Sequence, residues 1–435
     1  MGTRMKSALP KVMHAVAGAP MLRHVIEAAR GAGCERIVVV TAPGFDAVRA
    51  FAAGLGAESV VQDRQLGTGH AALCAKAVLE DFDGAILINN GDMPLAEAAM
   101  MAQSLESAEK TGFSIVAFRP DDAAAYGRVI LGEDGLLDRI VEYKDANAEE
   151  RAVDLCCAGT YSAASAKKFF EWAAKLRNDN AQGEYYLPEV PAVAKTDGVK
   201  CAVTVADAVT VMGVNSRAEL AEAEAQMQKR LRARALDGGV GMTAPETVFL
   251  SHDTMLESDV QVGPYVVFSP GVTVRSSAEI KSHTVLEGCE VKAGAVVGPH
   301  ARLRPGTMIG EGAHIGNFVE VKNSTVGAGT KANHLAYLGD ATVGAAANIG
   351  AGTITCNYDG FDKHKTQIGA GAFIGSDTAL VAPVSVGDGA YVGAGSVITR
   401  AVPENALAVT RAEQREVAGW AEKFRARKKA QKGKK

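Results

Sequence analysis

Three short stretches carry residue types that can do chemistry. The chain opens MGTRMKSALPK, where Arg4 and Lys11 bracket a loop that begins with glycine. A glycine-bearing loop with cations that runs into a helix is built to grip phosphate. Such loops follow a buried strand, and no strand-like run precedes this one. The second stretch, NGDMP (90–94), ends an apolar run on Asp92. A carboxylate there either caps the next helix or holds a hard cation. The third, NHLAYLGD (333–340), sets His334 near Tyr337. Moving an acyl group onto an amine needs a base, and the ordinary pKa of histidine suits that task near neutral pH. The chain holds nine histidines, so a structural role is the alternative for any one of them.

Two kinds of element must position these residues. Over 1–217, strand-like runs such as ERIVVVT (35–41) and GAILINNGDMPL (84–95) alternate with amphipathic stretches such as PMLRHVIEAARGAG (20–33). That alternation implies an open α/β sheet with a mostly parallel core, whose ligands sit beyond the carboxyl ends of the strands. The Gly-rich opening, LGTGH (66–70) and NGDMP all fall there. Residues 218–237 lack Gly and Pro and read as one connecting helix within a linker spanning 218–244.

From 245 to 403 an aliphatic residue followed by glycine recurs in fixed phase. Glycines stand at 298, 310 and 316, at 344 and 350, and at 369, 375, 387 and 393. A period of six gives one short strand and one turn per repeat, and three repeats close a triangular coil. Stacked coils bury the aliphatic residues in a parallel β-helix. The phase breaks at 316–327 and at 350–369, where loops should leave the prism and where function concentrates. A C-terminal segment, 404–435, ends in WAEKFRARKKAQKGKK with eight Lys or Arg. Such a tail reads as a solvated end, with a weak anionic contact as the alternative.

Net charge is −4, which gives no reason to expect nucleic acid as a partner. No stretch of eighteen apolar residues suggests a membrane span. The N-terminus carries charges without a following apolar core, so it does not read as a signal peptide. Seven cysteines at 34, 74, 156, 157, 201, 289 and 356, without a C-x-x-C pair, point to reduced thiols and a cytoplasmic protein. Cys356 reads as packing rather than as a nucleophile.

With both halves read, the sequence resembles the bifunctional N-acetylglucosamine-1-phosphate uridyltransferase / glucosamine-1-phosphate N-acetyltransferases. NHLAYLGD and GAGTITCNYDG (350–360) carry the match most specifically. The resemblance implies a Rossmann-like nucleotidyltransferase domain followed by a left-handed parallel β-helix of hexapeptide repeats. It implies a homotrimer, acetyl-coenzyme A as co-substrate, Mg²⁺, and UTP, glucosamine 1-phosphate and N-acetylglucosamine 1-phosphate as substrates. It also implies a place in bacterial peptidoglycan and lipopolysaccharide precursor synthesis.

The same resemblance makes His334 the general base of acetyl transfer. Arg304, Lys322, Tyr337 and Asn348 match the sugar-phosphate ligands. Ala351, Asn357, Tyr358, Ser376, Ala394 and Arg411 match the acetyl-coenzyme A contacts. For uridyl transfer, Arg4 and Lys11 match the phosphate-binding pair, and Gln62, Gly67 and Thr68 match the uracil-reading segment. Asp92 and Asn215 match the Mg²⁺ ligands, and Gly127 and Glu142 the sugar-binding positions. Two departures stand out. Cys157 occupies the place of a sugar-binding Asn, and a thiol is a poor substitute for an amide. The family's opening apolar strand and Leu-Ala-Ala-Gly before Gly-Thr-Arg do not occur here. That implies two bared strand edges in the first domain. It leaves either a natural protein longer than this chain, or one in which only acetyl transfer is active.

Overall fold

The computed structural model describes residues 3–123 and 125–432. It divides into two compact units, Met1–Arg234 with Leu250–His252, and Ala235–Phe249 with Asp253–Lys435.

In the first unit, α1 (Met21–Gly31) buries Met21, Leu22, Val25 and Ile26 along one stripe. β1 (Val38–Thr41), α2 (Asp46–Gly54) and β2 (Glu58–Val61) form a parallel βαβ unit with Val38 opposite Glu58. After α3 (Thr68–Cys74) come β3 (Ile86–Ile88), α4 (Ala98–Thr111) and β4 (Gly112–Phe118). A hairpin of β5 (Arg128–Leu131) and β6 (Leu137–Val141) leads to β7 (Cys156–Ala163). The unit continues through α5 (Ala166–Ala173), α6 (Val190–Thr196) and β8 (Lys200–Val205) into α7 (Arg217–Asp237).

The sheets are less parallel than the sequence suggests. β1 and β2 form a sheet of two strands; the other six form a mixed sheet ordered β8-β4-β7-β5-β6, with β3 also paired to β7. The cause is β7. It enters between β3 and β4 and runs against both, with Ala163 opposite Ile86 on one side and Phe113 on the other. Only β8 runs parallel to its neighbour in this sheet, β4. From Phe113 to Phe118, β4 is fully buried, as its unbroken apolar run requires. β1 and β3 differ: Val38, Val39 and Val40, and Ile86, Leu87 and Ile88, are only half-buried. No ladder joins these two strands among the described residues, and both line one cavity of about 1350 Å³.

The connecting helix forms where its composition places it. Ser216 caps α7, accepting from the Glu219 amide at 3.2 Å while Glu219 Oε2 accepts from the Ser216 amide at 2.8 Å. This reciprocal pair satisfies two of the orphan donors at the helix start.

The second unit is a parallel β-helix of three sheets with ten, eight and eight strands. Over most of its length paired residues lie 17 or 18 positions apart, as in Gln261 with Glu279 and Glu279 with Val296. Inward residues such as Ile280, Val297, Ile315 and Leu338 are fully buried. The break at 350–369 is a true extrusion: Ala341 pairs with Thr366, a step of 25. The break at 316–327 is not. His314 pairs with Lys331 in an ordinary step of 17, so no loop leaves there. Phe318 at φ 57° and Asn323 at φ 45° take the corner conformations without glycine, which hides the coil from a glycine pattern. In the C-terminal segment, a helix over Trp420–Lys432 buries no residue.

Candidate functional sites

The first unit gathers its phosphate and metal candidates at the ends of strands. Asp92 follows β3, and Asn215 precedes α7. The Val214 amide donates to the Asp92 carbonyl at 2.9 Å and ties the two segments together. Lys11 Nζ is ion-paired to Asp92 Oδ2 and donates to Asn215 Oδ1 at 2.9 Å. A cation therefore already draws a carboxylate oxygen and an amide oxygen together. Two hard oxygen donors, with the remaining positions left to water and phosphate, fit Mg²⁺. Among the described residues no group of three His, Cys, Asp or Glu could hold a metal, which leaves this pair as the candidate. Arg4 is exposed on the same opening segment.

The Gln62 amide donates to Gly67 O at 3.1 Å and meets His70 Nδ1 at 3.0 Å, so Gln62 is held against the LGTG loop. Gly67 sits at φ 106°, and a Cβ there would come 2.6 Å from Tyr185 O. The Thr68 hydroxyl accepts from the Leu187 amide at 3.1 Å, so it braces the loop.

Gly127 and Glu142 come together: a Cβ on Gly127 would meet Glu142 Oε1 at 3.4 Å. Burial pushes the Glu142 carboxyl up, and the charge on Asp145 adds to it. Cys157 joins them through its amide, which donates to Gly127 O at 2.8 Å. Its thiol is buried and meets Tyr161 OH at 3.2 Å. Burial raises it to about 11, so it is neutral at pH 7. The amide expected at 157 is therefore absent, and its thiol serves the core. Asn90 went unmarked in the sequence; its exposed carboxamide packs directly against Gly159. Gly159, at φ 82°, leaves room for it.

In the second unit, His334 ends a strand whose register sets it beside Asn317, one coil earlier. Asn317 Oδ1 accepts from His334 Nδ1 at 2.7 Å. With the proton fixed on Nδ1, the lone pair sits on Nε2 of an exposed ring. The remaining candidates fall into two groups. Ala351, Ser376, Ala394 and Arg411 stack on successive coils. The Asp377 amide donates to Ala351 O at 2.7 Å, the Gly395 amide to Ser376 O at 2.8 Å, and Arg411 Nη1 to Ala394 O at 2.6 Å.

The second group is ionic. Arg304 Nη1 donates to Glu320 Oε1 at 2.9 Å, and Glu320 stands opposite Tyr337. Lys322 Nζ lies 3.9 Å from Asp340 Oδ2, which also accepts from Asn357 Nδ2 at 2.5 Å. Asn323 donates to the other oxygen at 2.6 Å. Burial alone would raise the Asp340 pKa, but these hydrogen bonds and the Lys322 charge together lower it. Lys363, from the extruded loop, meets Lys322, and the two ammonium groups push the Lys363 pKa down. Two cations held side by side are a seat for a phosphate dianion. Asn348 is half-buried in its strand, and Tyr358 is exposed, its hydroxyl donating to Gly360 O at 2.6 Å. Asn317, Asp340 and Lys363 were missed; adding one coil length of 17 to Asn317 or Asn323 would have flagged the first two.

Residues 1–176 match the MobA-like NTP transferase domain, and residues 365–400 match the bacterial transferase hexapeptide repeats. A protein of Paramagnetospirillum magneticum named bifunctional protein GlmU is 52% identical, over 100% of this chain and 97% of its own length. One of the same name from Acidiphilium cryptum is 53% identical, over 98% and 96%. The chain belongs to the GlmU family. GlmU relatives match across both halves of the chain, which favours two activities over the reading in which acetyl transfer alone survives.

Proposed function

We infer that this protein acetylates glucosamine 1-phosphate with acetyl-coenzyme A and then joins the product to UMP from UTP, releasing pyrophosphate. The observation that carries the reading is the pair of separate donor sets, His334–Asn317 in the prism and Lys11–Asp92–Asn215 in the sheet unit.

In acetyl transfer, His334 Nε2 takes a proton from the amine as its nitrogen attacks the thioester carbonyl. The C–S bond breaks, and the imidazolium returns the proton to the departing thiolate. N-acetylglucosamine 1-phosphate and free coenzyme A leave. Arg304, Lys322 and Lys363 face the phosphate, Tyr337, Asn348 and Asn357 the sugar, and the column from Ala351 to Arg411 the coenzyme. In uridyl transfer, a phosphate oxygen of the sugar phosphate attacks the α-phosphorus of UTP, and the bond to the β-phosphate breaks. Arg4 and Lys11 offset phosphate charge, and Gln62, Gly67 and Thr68 seat the uracil. Gly127, Glu142 and Asn90 face the sugar. Asp92 and Asn215 would hold Mg²⁺, which when bound neutralises charge on the reacting phosphates.

The reading includes a homotrimer formed through the prisms, supported by the hexapeptide repeats, with sedimentation as its measurement. It places the protein in the cytoplasm, in keeping with seven free cysteines. No described helix is long and apolar enough to cross a membrane.

The test is a crossed pair of variants on the full chain. His334→Ala should lower thiol release at least about 100-fold and leave pyrophosphate release intact. Asp92→Ala should do the reverse. Loss of both activities in either variant, or of neither, defeats the assignment.

A further inference from the structure

The loop extruded from the prism is more ordered than its exposure alone would allow. The flanking strands end at Cys356 and resume at Thr366. Every residue from Tyr358 to Lys363 is exposed, and Phe361 at the tip is 93% exposed. Apolar packing therefore does not hold this segment, and its shape rests on hydrogen bonds. Asp359 supplies most of them. Its Oδ1 accepts from the Phe361 amide at 2.8 Å and from the Asp362 amide at 2.7 Å, and its Oδ2 accepts from His364 Nε2 at 2.8 Å. The Asp359 amide donates to Asp362 O at 3.2 Å, and the His364 amide to Asn357 O at 2.8 Å. Together these bonds lay Tyr358 antiparallel to Lys363. The Asp362 amide, the His364 ring and the Phe361 amide hold the Asp359 carboxyl well below the usual carboxylate range, so all three donors meet a full negative charge.

This order opposes a repulsion. Lys363 meets Lys322, and the like charge lowers the Lys363 pKa; the charge on Asp340 offsets only part of the effect. Asp340 is itself shared, with Lys322 Nζ at 3.9 Å and with the carboxamides of Asn323 and Asn357. Two ammonium groups free to part would do so, because each sheds a like neighbour and gains water. Lys363 sits on a loop with no buried side chain to anchor it, yet the residues on both sides of it are pinned. Asp362 is held by its amide and His364 by its ring, both to the carboxylate of Asp359.

We propose that Asp359 and His364 form a clasp that positions Lys363 beside Lys322, so that two cations stand ready for the phosphate of the acceptor sugar. Asp359 touches no substrate in this scheme; it is a positioning residue that acts through Lys363. Holding the cations together before the phosphate arrives spares the bound state the cost of ordering the loop. The effect on turnover rests on the acetyl-transfer reading; the clasp itself does not.

The test is a double-mutant cycle on the full chain, with Asp359→Ala, Lys363→Ala and both together, followed by thiol release. Asp359→Ala should raise the KM for glucosamine 1-phosphate about tenfold and leave kcat within about twofold. Lys363→Ala should do much the same. The double variant should be less than about twofold worse than Lys363→Ala, because a residue that acts only through Lys363 then has nothing left to lose. Asp359→Asn keeps an oxygen for the two amides and should recover most of the loss. Hydrogen exchange gives a readout without substrate: Asp359→Ala should speed exchange over 358–364 at least about fivefold and leave the strand at 366–368 unchanged. Losses that multiply to about a hundredfold in the double variant overturn the proposal, since Asp359 would then act independently of Lys363. So does a KM that Asp359→Ala leaves within about twofold, or exchange that it does not alter. If the unaltered chain releases no thiol, the acetyl-transfer reading fails, and exchange still decides the clasp.

Discussion

At the scale of single residues, the proton on His334 is set by its neighbour one coil away. Asn317 Oδ1 holds Nδ1–H at 2.7 Å, so the tautomer with a free Nε2 is the one on offer. Asn317→Leu removes that acceptor and lets the ring turn or switch tautomer. The turnover of acetyl transfer should fall about 10- to 100-fold with little change in KM for acetyl-coenzyme A, and Asn317→Asp should recover most of the loss. Equal effects on kcat and KM would assign Asn317 to packing alone. Asn90 carries a second prediction. Its exposed amide offers two donors and an acceptor against Gly159, two residues beyond Cys157, whose own amide is bonded to Gly127 O. Asn90→Ala should raise the KM for N-acetylglucosamine 1-phosphate about tenfold and leave the KM for UTP within twofold. The buried thiols make a pH prediction. Burial lifts Cys157 and Cys201 to about 11, above the value near 9 of an unfolded cysteine. Neutral thiols therefore stabilise the fold fully below pH 9, and this contribution is lost as pH rises from 9 towards 11. It amounts to about 2–3 kcal/mol per thiol, and the urea midpoint of the first unit should drop between pH 8.5 and 10.5.

Elements explain what the sequence displayed and what it hid. α7 was legible because a run without Gly or Pro, rich in Ala, Glu, Gln and Arg, has no better conformation, and Ser216 with Glu219 marks its start. The prism was legible because the six-residue period is local. The coil through 316–327 was misread because Phe318 and Asn323 turn its corners without glycine. The mixed sheet was hidden because pairing partners such as Ile86 and Ala163 lie far apart in sequence, and an isolated apolar run carries no strand direction. Asp92 and Asn215 were found by resemblance, but their convergence needed the helix cap. Glu219 Oε2 accepts from the amides of Asn215 and Ser216 at 2.6 and 2.8 Å and so fixes the backbone that carries the Asn215 ligand. Glu219→Ala should raise the Mg²⁺ concentration needed for half-maximal pyrophosphate release about tenfold, as losses of supporting contacts do elsewhere. Acetyl transfer should not change. An unaltered Mg²⁺ requirement would show that the cap serves the helix and not the ligand.

The whole molecule joins two units held together by different means, and their stabilities should separate. In the prism each coil covers the edges of its neighbours, and the inward residues Val262, Ile280, Val297, Ile315, Ala332 and Ile349 form one continuous buried row. Such stacks gain stability from every added neighbour. Among the described residues, the first unit divides its apolar core into four clusters. A unit whose apolar core is divided in this way lies nearer the low-stability end of a protein. Titrating the full chain with urea should abolish pyrophosphate release at a lower concentration than thiol release, with the midpoints at least about 1 M apart. Circular dichroism should show two transitions, the first removing mainly helix, because the described helices of seven or more residues up to α7 begin in the first unit. A single transition that removes both activities together would mean that the two units unfold as one.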